Sequence, residues 1–219
     1  MTLNLSRALI KYGAVLPVVY LIAAAFAFKP SYFERLAAIP NVAVHVHGAL
    51  MVAWLVLLVG QALLIRSDRR ELHRSVGRVG YVLAPLVASS IVFVAHSAIS
   101  RSVLDEGAFA RLALQLGYVP LFLAIFAMAM HSRRTPDVHA RYMVCTVLPM
   151  TSPVFDRVLG FYLLPDLAFL PQFLDGSRLL PLIYLLLLAL TAWDWRSARR
   201  TNVFPLVAGM FLVQHTAVI

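Results

Sequence analysis

Histidine is the residue type in this sequence with the most chemistry open to it. There are seven: His45, His47, His73, His96, His131, His139 and His215. Imidazole nitrogens bind zinc, copper and non-haem iron, and two facing imidazoles hold a haem iron. Imidazole is also the side chain that titrates near neutral pH. The local settings differ. His45-Val46-His47-Gly48 opens a long apolar stretch, and His73-Arg74-Ser75-Val76-Gly77-Arg78 follows a run of arginines. His139 stands in Asp137-Val138-His139-Ala140-Arg141-Tyr142-Met143. The lone Cys145 excludes an intramolecular disulfide and a cysteine-based metal site. The chain has no HExxH, no CxxC and no pair of carboxylates inside an apolar run, and no Ser-His-Asp set can be assembled.

The elements that position these histidines are apolar helices. Hydrophobic residues are 61% and charged residues 13% of the 219, and the mean hydropathy is +0.83, whereas soluble domains run near about 45–50% and 25%. Between Arg35 and Arg66 there is no Asp, Glu, Lys or Arg. Charge-free runs of this kind read as transmembrane helices. The expected architecture is an all-α polytopic bundle forming a single membrane domain over 1–219. It has seven helices, at about 9–28, 42–65, 75–98, 109–131, 138–163, 179–193 and 203–219. Asn41 is the expected N-cap of the second, and Pro149 and Pro153 interrupt the fifth. Arg7 and Lys11 before an apolar stretch resemble a signal peptide, but no small-residue cleavage site follows, so this stretch reads as the first helix.

The net charge of +9 gathers in alternate loops. Arg66, Arg69, Arg70 and Arg74, then Arg133 and Arg134, then Arg196, Arg199 and Arg200 fall on one side; Glu34, Asp105, Glu106, Asp166 and Asp175 fall on the other. The positive-inside bias puts the N-terminus in the cytoplasm and the C-terminus outside. The arginines are thereby explained by topology, and nucleic-acid binding has no support. The expected partners are the lipid bilayer and other membrane subunits.

Depth then sorts the histidines into two groups. His45, His47, His96 and His215 fall near the outer face, with His96 about 20 residues, roughly 30 Å, along its helix. His73, His131 and His139 fall at the cytoplasmic face. His45 and His47 are about 200° apart on a helix, so only one of them looks inward. Three inward stripes are expected: His47, Met51, Trp54 and Gln61; Arg78, Pro85, Ser89 and His96; and His139, Met143, Thr146, Met150 and Arg157. The sixth helix has no polar stripe over 179–190 and is expected at the lipid-exposed periphery.

Three imidazoles at similar depth make a ligand set for zinc, copper or iron, and two facing ones a site for haem b. Asp137 or Glu71 would complete or orient the inner group. His47, His73, His96 and His139 are the expected cofactor ligands, with His45, His131 and His215 as further metal-ligand candidates. This reading is a protein for redox chemistry or metallocofactor handling. The alternative is a non-enzymatic membrane subunit or transporter-like protein whose histidines are interfacial or proton-responsive. A metal-assisted hydrolase ranks last, for want of a carboxylate base in the bilayer. A retinal protein is excluded, because the seventh helix has no lysine.

The pieces His47-Gly48, Trp54, Gln61 to Ile65, His73-Arg74-x-x-Gly77-Arg78 and Asp137 to Met143 resemble a group of uncharacterised bacterial multi-pass membrane proteins over residues 42–160. That resemblance implies a multi-pass protein of the bacterial inner membrane in which His47, His73 and His139 matter, and carries no activity with it. More distantly, the chain resembles the ascorbate-dependent transmembrane cytochromes b, which implies haem sites near both faces.

Overall fold

A computed structural model describes residues 5–39, 41–100, 106–158, 161–162, 180–196 and 201–217. Among them every regular element is helical. The helices are α1 (Leu5–Tyr12), α2 (Val15–Phe28), α3 (Val42–Arg66), α4 (Arg70–Gly77), α5 (Gly80–Ile99), α6 (Glu106–His131), α7 (Pro136–Cys145), α8 (Thr151–Val158), α9 (Leu180–Trp195) and α10 (Val203–Thr216). Short 3-10 turns lie at Phe33–Ala38, Ser132–Arg134 and Leu148–Met150. Three stretches are long and apolar enough to cross a bilayer: Val42–Arg66, Arg70–Ile99 and Gln115–Arg134. Shorter apolar helices occupy Val15–Phe28, Pro181–Trp195 and Val203–Thr216.

Local chemistry accounts for the breaks. Asn41 caps α3, its side-chain oxygen accepting from the Ala43 N–H at 3.1 Å. Pro17 cannot bond the carbonyl of residue 13, and α1 and α2 part at Gly13-Ala14. The fifth expected helix divides into α7 and α8, with Pro149 in the 3-10 turn between them and Pro153 in the first turn of α8, where a proline costs no hydrogen bond.

One expectation is replaced outright. The arginine-rich segment from Arg66 to Arg78 is not a loop: the chain turns at Ser67-Asp68, with Asp68 at φ 57°, and immediately forms α4. Arg, Glu and Leu are good helix formers, so low hydropathy here marks an amphipathic helix. His73 therefore has a helical backbone to hold it.

Two apolar clusters share α6 between them. One packs Tyr118, Leu121, Ile125 and Ala129 against Tyr142, Leu187, Phe204, Val207 and Phe211. The other packs Phe122 and Phe126 against Trp54, Leu58, Val87 and Tyr20. Trp54 is wholly buried, with the Phe122 and Phe126 rings edge-on at 5.1 and 5.5 Å. The outer surfaces of α5, α9 and α10 are apolar and exposed, with Val82, Leu185, Leu188 and Val213 each more than half accessible. A surface of that kind is stable against lipid chains.

The stripes on α3 and α7–α8 turn inward: Trp54, Gln61, Thr146 and Met150 are buried, and His47, Met51, His139, Met143 and Arg157 partly so. The stripe expected on α5 does not. Arg78, Pro85, Ser89 and His96 are all exposed. The buried face is instead Leu83, Ala84, Val87, Ala88, Ser90 and Ala95, because small side chains let α5 lie close against α3. On α9 one face, with Leu182, Leu185, Leu186 and Leu188, is exposed as on a peripheral helix, and the other packs inward. Ile183, Leu187, Thr191 and Asp194 recur at helical spacing and are buried.

Candidate functional site at the basic face

The ends of α3, α6 and α9 and the starts of α4, α7 and α10 meet at one end of the bundle, where Arg69, Arg70, Arg74, Arg133, Arg134 and Arg196 gather. His73 and His139 come together here from α4 and α7. Their ring centroids are 6.4 Å apart and the ring planes are nearly perpendicular, at 89°.

Each ring is anchored through Nδ1. The His139 Nδ1–H donates to the Ala129 carbonyl of α6 at 2.8 Å; a carbonyl can only accept, so the proton is on Nδ1 and the lone pair on Nε2. His73 is held by Gln61, a buried amide reaching across from α3. In the amide orientation that satisfies every neighbour, Gln61 Nε2 donates to His73 Nδ1 at 2.7 Å and to the His73 carbonyl at 3.0 Å, while its Oε1 accepts from the Gly77 N–H at 3.3 Å. A Cβ on Gly77 would lie 3.3 Å from the end of that amide. His73 and Gly77, four residues apart, lie one turn apart on the same side of α4. The motif His73-Arg74-x-x-Gly77 and the buried Gln61 are thus one physical unit.

Arg141, two residues beyond His139, serves a different purpose. Its guanidinium is fully buried and meets Asp194 of α9, with Nη2 at 2.5 Å and Nε at 3.2 Å from Oδ1. Its Nη1 donates to the Asp137 carbonyl at 2.6 Å. The other Asp194 oxygen accepts from the Thr201 N–H at 3.2 Å and the Thr201 hydroxyl at 2.5 Å. The pair ties α7 to α9 and to the segment before α10. Asp194 is absent from every sequence-based expectation, although a lone carboxylate between Trp193 and Trp195 at the end of an apolar helix calls for a cationic partner. His131 is not part of this group. It is exposed and lines an open groove with Tyr81, Met130, Arg133 and Arg134.

At the opposite end the histidines stay apart. His45 is fully engaged: Nε2–H donates to the Ile39 carbonyl at 3.1 Å and Nδ1 accepts from the Tyr32 hydroxyl at 2.8 Å. His47 Nδ1 lies 2.9 Å from Ser90 Oγ. That hydroxyl gives its own proton to the Val87 carbonyl at 2.7 Å, so His47 is the donor. His96 is exposed on α5. His215 is a core residue, 6% exposed, packed among the Tyr118, Tyr184 and Phe211 rings, with Nδ1 3.3 Å from the Tyr184 hydroxyl. Among the described residues no three His, Cys, Asp or Glu side chains form a metal-binding group. Asp137 reaches Arg141 through its carbonyl, and Glu71 is exposed on α4.

No known protein family, no curated protein and no solved structure matches this chain.

Proposed function

We propose that this chain is a seven-helix inner-membrane protein that holds a transition-metal ion or haem iron between His73 and His139 at its basic, cytoplasmic face. Its role is redox chemistry or metallocofactor handling. The observation that carries the reading is the 6.4 Å separation of two imidazoles anchored from different helices. With metal–nitrogen bonds of about 2.0–2.1 Å, two imidazoles on one ion have centroids about 4.5 Å apart at a right angle and about 6.3 Å apart when opposed. The separation suits the opposed, two-ligand arrangement of a bis-histidine haem better than a tetrahedral zinc site. Charge favours the same choice. A bare dication would be repelled by Arg74, whose charge acts on His73, whereas a carboxylate of a haem is matched by it. The Nδ1 hydrogen bond of His139 to a backbone carbonyl is the support a metal-bound imidazole uses.

The positive-inside rule supports the cytoplasmic assignment of this face, and with it an N-terminus inside and a C-terminus outside. The exposed Trp193 and Trp195 beside Arg196 suit a membrane boundary at the end of α9.

The test is elemental analysis with an absorption spectrum of detergent-purified protein, from cells supplied with iron and a haem precursor. About one iron or haem per chain is expected, lost in His73→Ala and His139→Ala. Protein with neither metal nor a Soret band overturns the reading.

A second reading rests on the closeness of the two rings: an imidazole gives or takes a proton near neutral pH, and two of them with centroids 6.4 Å apart suit the passing of a proton. Metal-free protein that carries protons across liposomes, and stops doing so in His139→Ala, would select it.

A further inference from the structure

His131, Arg133 and Arg134 take no part in the histidine pair, yet they line the groove beside it. This groove is open, about 440 Å³ in volume, and is walled by Tyr81, Met130, His131, Arg133 and Arg134, with no acidic side chain among the described residues. Its cationic wall is built rather than loose: Arg133 Nη1 donates to the Tyr81 hydroxyl at 2.8 Å, which fixes one guanidinium across the gap between α5 and the turn after α6. A guanidinium has five N–H donors, so this bond leaves others for an anion. His131 also borders a second open groove, of about 270 Å³, with Ala127, Met128 and Ser132. That one is mostly apolar and runs back one turn along the outside of α6. On α5, Val82 and Leu86 continue an exposed apolar surface from Tyr81, at 64% and 48% exposure.

We propose that the two grooves together form a binding site for one anionic phospholipid, the phosphate held by Arg133 and Arg134 and an acyl chain lying on Ala127 and Met128. Three features select this occupant. The charge is of one sign, so a cation is excluded. The basic lining meets an apolar channel at a shared residue, which fits a molecule that is anionic at one end and apolar along the rest. The site also lies where the long apolar helix over Gln115–Arg134 ends, at the depth of a headgroup. A free inorganic phosphate uses the first feature and leaves the second unexplained.

The experiment is native mass spectrometry of the detergent-solubilised full chain with dioleoylphosphatidylglycerol or dioleoylphosphatidylcholine. Phosphatidylglycerol is expected to be retained about 25-fold better, given about fivefold for each of two arginines engaged. The double variant Arg133→Gln/Arg134→Gln should lower its retention by about 25-fold, to the level of phosphatidylcholine. Tyr81→Phe keeps both arginines and removes the hydroxyl that fixes one of them. It is expected to lose about fivefold, and it supplies the test should the double variant not fold. Equal retention of the two lipids, or retention that neither variant changes, overturns the proposal. So does displacement of the bound lipid by excess inorganic phosphate, which would mark a free-anion site. Bound metal or haem should be the same in all three proteins, so this result stands apart from the histidine-pair reading.

Discussion

Arg141 and Asp194, 53 residues apart, form an ion pair with no solvent exposure on either side chain. Both Asp194 oxygens and two edges of the guanidinium are hydrogen-bonded, to each other, to the Asp137 carbonyl and to Thr201. Removing one partner strands a buried charge, at a cost of about 3–5 kcal/mol, while replacing both with apolar groups costs far less. Asp194→Asn and Arg141→Gln should each lower the melting temperature of the detergent-purified protein sharply. Arg141→Met/Asp194→Leu should recover most of the loss. A double variant worse than either single one would show that the pair is a strong net stabiliser, against this expectation.

Gln61 is the second polar group whose removal should be felt beyond its own site. Gln61→Leu keeps the volume but removes the buried amide that bridges His73 and Gly77. The expected destabilisation is about 1–3 kcal/mol. Bound metal or haem should weaken as well, because His73 loses the group that orients it. Gly77→Ala presses a methyl onto the same amide and should reproduce part of the effect. Gln61→Leu protein with full occupancy would separate the amide from the ligand site.

His45 provides the contrast. Both of its ring nitrogens are already bonded, to Tyr32 and Ile39, and its ring packs against Tyr32 with centroids 5.4 Å apart. His45→Ala should cost about 1–3 kcal/mol through the unpaired groups it leaves, with no change in bound metal or haem. Thermal melting and elemental analysis on one preparation check both halves. Loss of metal at unchanged stability would return His45 to the candidate ligands.

How far the sequence shows this arrangement follows a physical pattern. The inward faces of α3 and α7 were legible because Trp54, Gln61, His139 and Thr146 are polar or amphipathic groups at helical spacing in apolar surroundings. Such groups have one low-energy direction to point. The inward face of α5 was not, because it is made of Ala84, Ala88 and Ala95, which carry no polarity signal. Meanwhile His96, which does, is tolerated near a helix end, and the Ser89 hydroxyl is too weak a polar group to turn the middle of α5 inward. Asp194 went unplaced because the partner that makes its burial affordable stands 53 residues earlier, and no local pattern links it to Arg141. His73 is legible as a residue of interest while its helical backbone is not, since an arginine-rich segment reads alike as a loop and as an amphipathic helix. The pairing of His73 with His139 is tertiary: membrane depth put both at one face, and the meeting of α4 with α7 brings the rings together.

Topology can be tested with almost no background, because the single cysteine, Cys145, is 1% exposed. Maleimide reagents that cannot cross membranes should leave the wild-type chain unlabelled in intact cells and in inverted vesicles alike. Ser67, in the turn between α3 and α4, and Ser100, just past α5, are both exposed, and they lie at opposite ends of the span Arg70–Ile99. The Ser67 end carries Arg66, Arg69, Arg70 and Arg74, and translocating that many arginines is strongly disfavoured. Ser67→Cys should therefore react only in inverted vesicles and Ser100→Cys only in intact cells. The reverse pattern would turn the molecule over, placing the His73–His139 pair outside. Labelling of both from one side would remove the span between them. Neither substitution disturbs the core, since Ser100 gives only a surface hydrogen bond to the His96 carbonyl, so a change in labelling reports position and not unfolding.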